Sequence, residues 1–334
     1  MDDETENRER GQILVAGHLF ADAVFSQLPS APVPGQEIWA TDFSFTPGGI
    51  ANQAIAAHRL GCPVSLRATI GDDALSHYCV TELVREGLDT GRLQEVDGWR
   101  LPMTASLGFE GDRALVSGGP NSALPLDLLT SDADQAAVAI LHWEDGSNAA
   151  RRLADEGVKV IADVGWDNVQ SGPDAVLPQL DGVYAFTPNR DEALACTGSA
   201  TVEGALEVIG SRVELAVITL GGEGVIAREQ STGTVVRRPG WSLPVVDTTG
   251  AGDVFAGALA AGILRGWPLI PLLDLALLVA GICVSRSGGA FSTPTLAELR
   301  DWIDAAPADL RERAATLRPL LTAPHPHPTQ QESE

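Results

Sequence analysis

Residues 245–264 read VVDTTGAGDVFAGALAAGIL, and their order suits phosphate chemistry. The spacing predicts a strand ending near Val246, a glycine turn, and an alanine-rich helix opening at about Gly250. A helix start carries unpaired N–H groups and a partial positive charge, which attract an anion. Gly250, Ala251 and Gly252 have little or no side chain, so an anion can reach their backbone. Asp253 falls within the first turn, where the helix dipole keeps a carboxylate ionised and able to accept a proton. Taken alone, these residues also suit a tight turn followed by an ordinary first-turn aspartate. The chain has no GxxxxGK[ST] run, and Lys159 is its single lysine. Phosphate would therefore be held by backbone amides, arginines and a metal.

Other segments carry similar chemistry. Gly48–Gly61, GGIANQAIAAHRLG, again places glycines before a helix, with Asn52 in its first turn as donor and acceptor for hydroxyls. Asp22 follows the first apolar run, in GHLFAD. Asn189 and Glu192 are three apart, on one face of a helix start. They read equally well as a helix cap with an acidic first turn. Thr219–Gly224, TLGGEG, ends an apolar run with glycines.

The elements that would position these residues alternate. Ile13–Ala16, Val64–Thr69, Ala137–His142, Val158–Asp163, Gly182–Phe186 and Leu215–Thr219 are apolar runs of strand length, with helical segments such as Ala51–Leu60 and Leu75–Arg85 between them. This rhythm predicts a three-layer α/β/α fold with a mostly parallel central sheet. Two stretches break it, near 37–45 and 103–117, and read as a small β lid with a turn at Gly111-Asp112. Residues 11–321 are expected to form one domain, with disordered tails at 1–10 and 322–334.

Composition narrows the function classes. The chain has 334 residues and a net charge of −23, which repels nucleic-acid backbones. Cys62, Cys79, Cys196 and Cys283 are far apart, so free thiols and a reducing cytoplasm are expected rather than zinc or disulfides. The apolar stretch Leu269–Val284 contains Asp274 and reads as a buried helix, not a membrane span. The first strand is not followed by GxGxxG, which excludes a dinucleotide-binding dehydrogenase.

DTTGAGD, with Phe255, Gly257 and its small-residue helix, resembles the second signature of the PfkB (ribokinase-like) carbohydrate kinases. Gly48–Gly61 resembles the first, and the likeness runs over roughly residues 12–304. It implies ATP-dependent phosphorylation of a hydroxyl, in most members a primary one, on a sugar or sugar-like substrate. Asp253 would be the base, with the amides of Gly250, Ala251 and Gly252 beside the transferring group. Asp22, Gly48, Gly49, Asn52 and Glu144 would bind substrate. Asn189, Thr219, Gly221 and Gly224 would bind the nucleotide, and Glu192 would hold Mg²⁺ through water. Asp247, Thr249, Val284, Ser287 and Gly289 occupy positions that cradle K⁺ in the family. Ribokinases proper carry Asn where this chain has Phe20 and Lys where it has Gly49, and Glu144 is preceded by Trp143. The acceptor pocket thereby exchanges polar groups for apolar ones, which sets ribose in question and favours a nucleoside somewhat. A phosphorylated acceptor would need basic residues, for which Arg113 on the lid is the candidate. A sugar-binding regulator without activity is the reading from another class. Lid strands could pair two protomers into a homodimer.

Overall fold

The computed structural model describes residues 11–109, 112–120, 124–133, 135–142, 147–170 and 172–322. β1 (Gln12–Ala16) and β2 (Leu19–Ser26) follow each other closely, then come β3 (Asp42–Gly49), β4 (Val64–Arg67), and the two-residue β5 (Thr69–Ile70) and β6 (Gln94–Glu95). β7 (Met103–Phe109) and β8 (Asp112–Gly118) form a hairpin. β9 (Ala136–His142), β10 (Lys159–Asp163), β11 (Ala185–Phe186) and β12 (Leu215–Thr219) alternate with helices, and β13 (Val225–Glu229) and β14 (Val235–Arg238) close the series.

The central sheet runs β14-β13-β12-β11-β10-β9-β1-β4. Neighbours from β4 to β12 are parallel, and β13 and β14 add antiparallel at one edge. Parallel neighbours need crossover connections, which the intervening helices supply. Successive strand residues enter different cores. Ile13, Val15 and Ile140 pack with helices Ile50–Arg59, Ala251–Leu264 and Leu269–Val284, whereas Leu14, Ala139 and Leu141 pack with helix Ala149–Asp155. The sheet is thus covered on both faces, in the three layers that the sequence rhythm implied.

Helix Leu269–Val284 has the bounds read from sequence. Its Asp274 is 1% exposed and accepts from Arg238 Nη2 at 2.7 Å and Arg313 Nη2 at 2.5 Å. Those two bonds let a carboxylate sit inside the layer. No helix among the described residues is long and apolar enough to cross a membrane.

A second sheet, β3-β2-β7-β8, stands where the sequence reading placed a lid. The stretch expected at 103–117 is there. The one expected at 37–45 is corrected: its strand is Asp42–Gly49, and it pairs along β2. β2 is the central lid strand, bonded to β3 on one side and β7 on the other. Asp22, which follows the first apolar run in the sequence, is buried within this strand. The strand expected to end near Val246 is also absent. The Val246 and Asp247 N–H groups instead donate to the Val284 carbonyl, at 2.8 and 3.1 Å, which fixes an irregular path. The expected tails fall outside the described residues, except that Thr322 closes the helix Arg318–Thr322.

Candidate active site

The carboxyl ends of the parallel strands share one edge, where open α/β sheets bind ligands. β10 ends there at Asp163 and β12 at Thr219. Helix Ile50–Arg59 also begins there, its Ile50 N–H donating to the His18 carbonyl just past β1 at 3.1 Å. It crosses helix Ala251–Leu264 at very short range. A Cβ on Gly257 would lie 2.5 Å from the Gln53 carbonyl oxygen and 2.8 Å from Ala56 Cβ. The crossing brings Asn52 and Gln53 to Asp253. Asn52 Nδ2 donates to Asp253 Oδ2 at 2.9 Å, and Gln53 Nε2 donates to Asp163 Oδ2 at 2.5 Å and to Asp253 Oδ1 at 3.4 Å.

Gly250 caps the helix in the left-handed region, φ 72°. The Ala251 N–H is already used, donating to the Thr248 carbonyl at 3.3 Å, and the Val254 N–H donates to Gly250 at 2.9 Å. The N–H groups of Gly250, Gly252 and Asp253 have no acceptor among the described residues. A Cβ on Gly252 would meet nothing within 4 Å, so its face is open. Of the amides expected at Gly250, Ala251 and Gly252, that of Ala251 is spent on the turn, and that of Asp253 is open beside the other two.

The protonation of Asp253 differs from the expectation. Burial pushes its carboxyl up to about 6, against the hydrogen bond from Asn52 and the charge of Arg113. Desolvation outweighs the helix dipole here. Burial, with repulsion from Asp253, raises Asp22 to about 7. Burial also raises Asp163 and Glu192, each further repelled by Asp253. A base must be ionised to accept a proton, so kcat/KM is expected to rise as pH passes through about 6 and to level off above 7. A flat rate between pH 5 and 8 would contradict Asp253 as the titrating base.

The same shifts bear on stability. These carboxyls hold protons more tightly folded than unfolded, so their contribution is present below about pH 4 and is lost as pH rises through their folded values. Buried His142, lowered to about 4 by desolvation and by His18, works in the opposite sense up to about 6.5. Asp22→Asn separates the two. Relative to wild type, its melting temperature is expected to rise between pH 5 and 8, and a constant offset would refute the raised Asp22.

Asp22 projects from the lid face that carries its register partners Thr46 and Thr104. Gly48 lies against it: a Cβ there would fall 1.9 Å from Asp22 Oδ2. Gly49 instead packs on the β1–β2 turn, where a Cβ would meet the His18 carbonyl at 2.3 Å and the Phe20 ring at 2.7 Å. Asn52 is 4% exposed and bonded to Asp253, so it orients that carboxylate rather than lying open to a sugar. Glu144 and Trp143 lie outside the described residues. His18 stands 6.3 Å from Phe20 and 5.1 Å from His142, ring centre to ring centre. Between the far half of the lid and Val245–Thr249 lies a cavity of about 270 Å³, lined among others by Ser26, Ser106, Arg113, Thr248 and Thr249.

Asn189 and Glu192 form a reciprocal cap. Asn189 Oδ1 accepts the Glu192 N–H at 3.0 Å, and Glu192 Oε2 accepts the Asn189 N–H at 2.8 Å. Asn189 also bridges to Thr219. Gly221 is open, with nothing within 4 Å of a Cβ, whereas a Cβ on Gly224 would meet the Arg238 carbonyl at 2.1 Å. Gly224 thus serves backbone packing. In the loop read from sequence as a cation site, Asp247 Oδ1 accepts the Thr249 N–H at 2.9 Å, while Asp247 Oδ2 is buried without a hydrogen-bond partner among the described residues. The Val284 carbonyl already accepts two amides. The Ser287 and Gly289 carbonyls each accept one donor, from Ser292 and Cys283. Two neighbours of the base were missed in the sequence: Gln53 and Asp163. They lie 200 and 90 positions from Asp253, and only the helix crossing and the sheet edge unite them.

Comparison with known proteins gives a consistent answer. Residues 11–296 match the model of the pfkB family of carbohydrate kinases. A ribokinase of Haemophilus influenzae is 28% identical over 314 residues, covering 89% of this chain and 100% of that protein. The structure of a ribokinase from Cryptococcus neoformans var. grubii in complex with ADP superposes with a TM-score of 0.69 at 28% identity, covering 86% of this chain and 98% of that one. A nucleoside kinase of Burkholderia thailandensis in complex with inosine superposes at 0.71 with 22% identity, covering 86% and 94%, which speaks to fold alone.

Proposed function

Because this chain belongs to the pfkB family of carbohydrate kinases, we propose that it transfers the γ-phosphoryl group of ATP to a hydroxyl, a primary one, of a sugar or sugar-like acceptor. The observation that carries this reading is the half-buried Asp253, held by Asn52 beside the open N–H groups of Gly252 and Asp253.

Asp22 holds the acceptor through its hydroxyls, with Gly48 leaving room for that carboxylate. Asp253 takes the proton of the attacking hydroxyl. As the acceptor oxygen bonds to the γ-phosphorus, the bond from that phosphorus to the bridging oxygen breaks, and ADP leaves. The open amides of Gly252 and Asp253 face the charge on the transferring group. Asn189, Thr219 and Gly221 line the nucleotide's side of the edge. Asp163 and Glu192 fit a divalent cation, because two half-buried carboxylates that repel a third favour a positive neighbour. Mg²⁺ held there would neutralise phosphate charge. The unpartnered Asp247 Oδ2 likewise fits K⁺, with Thr249, Ser287 and Gly289 around it and Val284 the poorest candidate.

Nucleosides remain the second reading, favoured by the Phe20, His18 and His142 rings near Asp22, which suit a flat apolar group better than an additional polyol. The intact base argues against a regulator without activity. An outward lid face with Phe43 and Val116 exposed supports pairing of two copies through the lid. Four free, buried thiols suit the cytoplasm. The test is ATP consumption against ribose, fructose, keto-deoxy sugars, nucleosides and sugar phosphates, with Mg²⁺ and with or without K⁺. Turnover of one class is expected, stimulated by K⁺ and not by Na⁺. No turnover of any would overturn the kinase reading in favour of the regulator.

A further inference from the structure

Resting on that kinase reading, we propose that Arg113 is a catalytic residue delivered by the lid, its guanidinium taking up charge on the phosphoryl group during transfer. Arg113 lies on β8 opposite Gly108 and projects from the lid face that bears Asp22. Its Nη1 donates to Thr248 Oγ1 at 2.9 Å, two positions before the Gly250 cap. Its charge is felt by Asp253, where it opposes the effect of burial.

Charge balance at the edge needs such a group. Asp22, Asp163, Glu192 and Asp253 converge there, and a polyphosphate must enter among them. Lys159, the only lysine, begins β10 at the opposite end from Asp163, with its ammonium over the Tyr184 ring. Arg190 pairs with Glu223 at 2.6 Å. Among the described residues, Arg113 is the arginine bonded to Asp247–Asp253. A guanidinium on that segment can meet equatorial phosphoryl oxygens while the acceptor oxygen–phosphorus bond forms and the bond to the leaving diphosphate breaks. Arg113 exchanges no proton in this step, since Asp253 receives it.

Delivery depends on the lid. Ser106 Oγ and Thr249 Oγ1 lie 3.0 Å apart, and the Ser287 hydroxyl donates to Asp42 at the start of β3. With these contacts Arg113 sits over the helix start, and without them the cation leaves with the lid. Transfer is thereby tied to a seated lid, which also excludes water.

The experiment compares Arg113→Ala and Arg113→Lys with Asp42→Ala, which loses a lid contact but no cation. For the acceptor that the wild type turns over, Arg113→Ala is expected to lower kcat on the order of 10²- to 10³-fold, below the full effect of an arginine finger. Both KM values should stay within about threefold, added guanidinium should restore at least about tenfold of kcat, and Arg113→Lys should fall between. Asp42→Ala should keep kcat within about threefold of wild type, because the Ser106–Thr249 contact and the Arg113–Thr248 bond still seat the lid. A rise in acceptor KM alone would make Arg113 a seat for an anionic group on the acceptor and overturn the proposal. Equal losses in Arg113→Ala and Asp42→Ala without rescue would reduce it to a lid latch. Absence of wild-type turnover would overturn the kinase reading as well, whereas wild-type kcat in Arg113→Ala would sink this proposal alone.

Discussion

Asp253→Asn lowers kcat by about 10²- to 10⁴-fold and leaves ATP affinity nearly unchanged, the range lost when a positioned general base is removed. The substitution is close to isosteric, and a side-chain oxygen remains to accept from Asn52 Nδ2, now 2.9 Å away. The open N–H groups of Gly252 and Asp253 belong to the backbone and survive the change. What disappears is the carboxylate that receives the proton. Stability moves in the other direction. Ionised Asp253 is disfavoured by its burial, so the neutral amide should melt at a higher temperature than wild type at pH 8. Steady-state kinetics, nucleotide titration and thermal melting together check this outcome. Near-normal turnover in a folded Asp253→Asn enzyme would remove Asp253 from the mechanism.

Gly48→Ala raises acceptor KM by about 10- to 100-fold with a much smaller change in ATP affinity. Its Cβ would stand 1.9 Å from Oδ2, 2.1 Å from Cγ and 2.4 Å from Oδ1 of Asp22. No rotation about one bond clears three atoms of a buried carboxylate, so Asp22 must leave its seat. Charge-assisted hydrogen bonds contribute about 1.5–3 kcal/mol each, which sets the expected range. The loss should match that of Asp22→Ala, and the double variant should be little worse than either single one. Additive losses would show that Gly48 acts through something other than Asp22.

The sequence spoke clearly where local chemistry decides structure. Glycines before an alanine-rich helix identified the start at Gly250, and the apolar lengths of Leu215–Thr219 and Leu269–Val284 gave those elements their observed bounds. It spoke less clearly where partners come from far along the chain. β2 reads LFADAVFS, and nothing local marks its Asp22 as buried in a strand, because the face that accepts a carboxylate is built from β3 and β7. The residues up to Val246 read as a strand, but the Val246 and Asp247 amides turn to the end of a helix almost forty positions later. Gln53 and Asp163 carry no motif that marks them as neighbours of the base. The ionisation of Asp253 was misjudged for a related reason. The helix dipole is legible from neighbours in sequence, whereas the desolvation that outweighs it comes from the whole fold. Asn52, in turn, was assigned to the acceptor from its place in a glycine motif, and its observed partner is Asp253.

The bond between Asn52 and Asp253 spans 201 positions. A contact of that separation closes a very long loop and forms late relative to local structure. During synthesis the first signature helix emerges before Asp253 is translated, and no N-terminal fragment ending before residue 253 contains this pair. With Asp253 as the proposed base, no active precursor is expected on the ribosome. In refolding, helical signal should return before turnover does, so that ATP is committed only by chains whose assembly is finished.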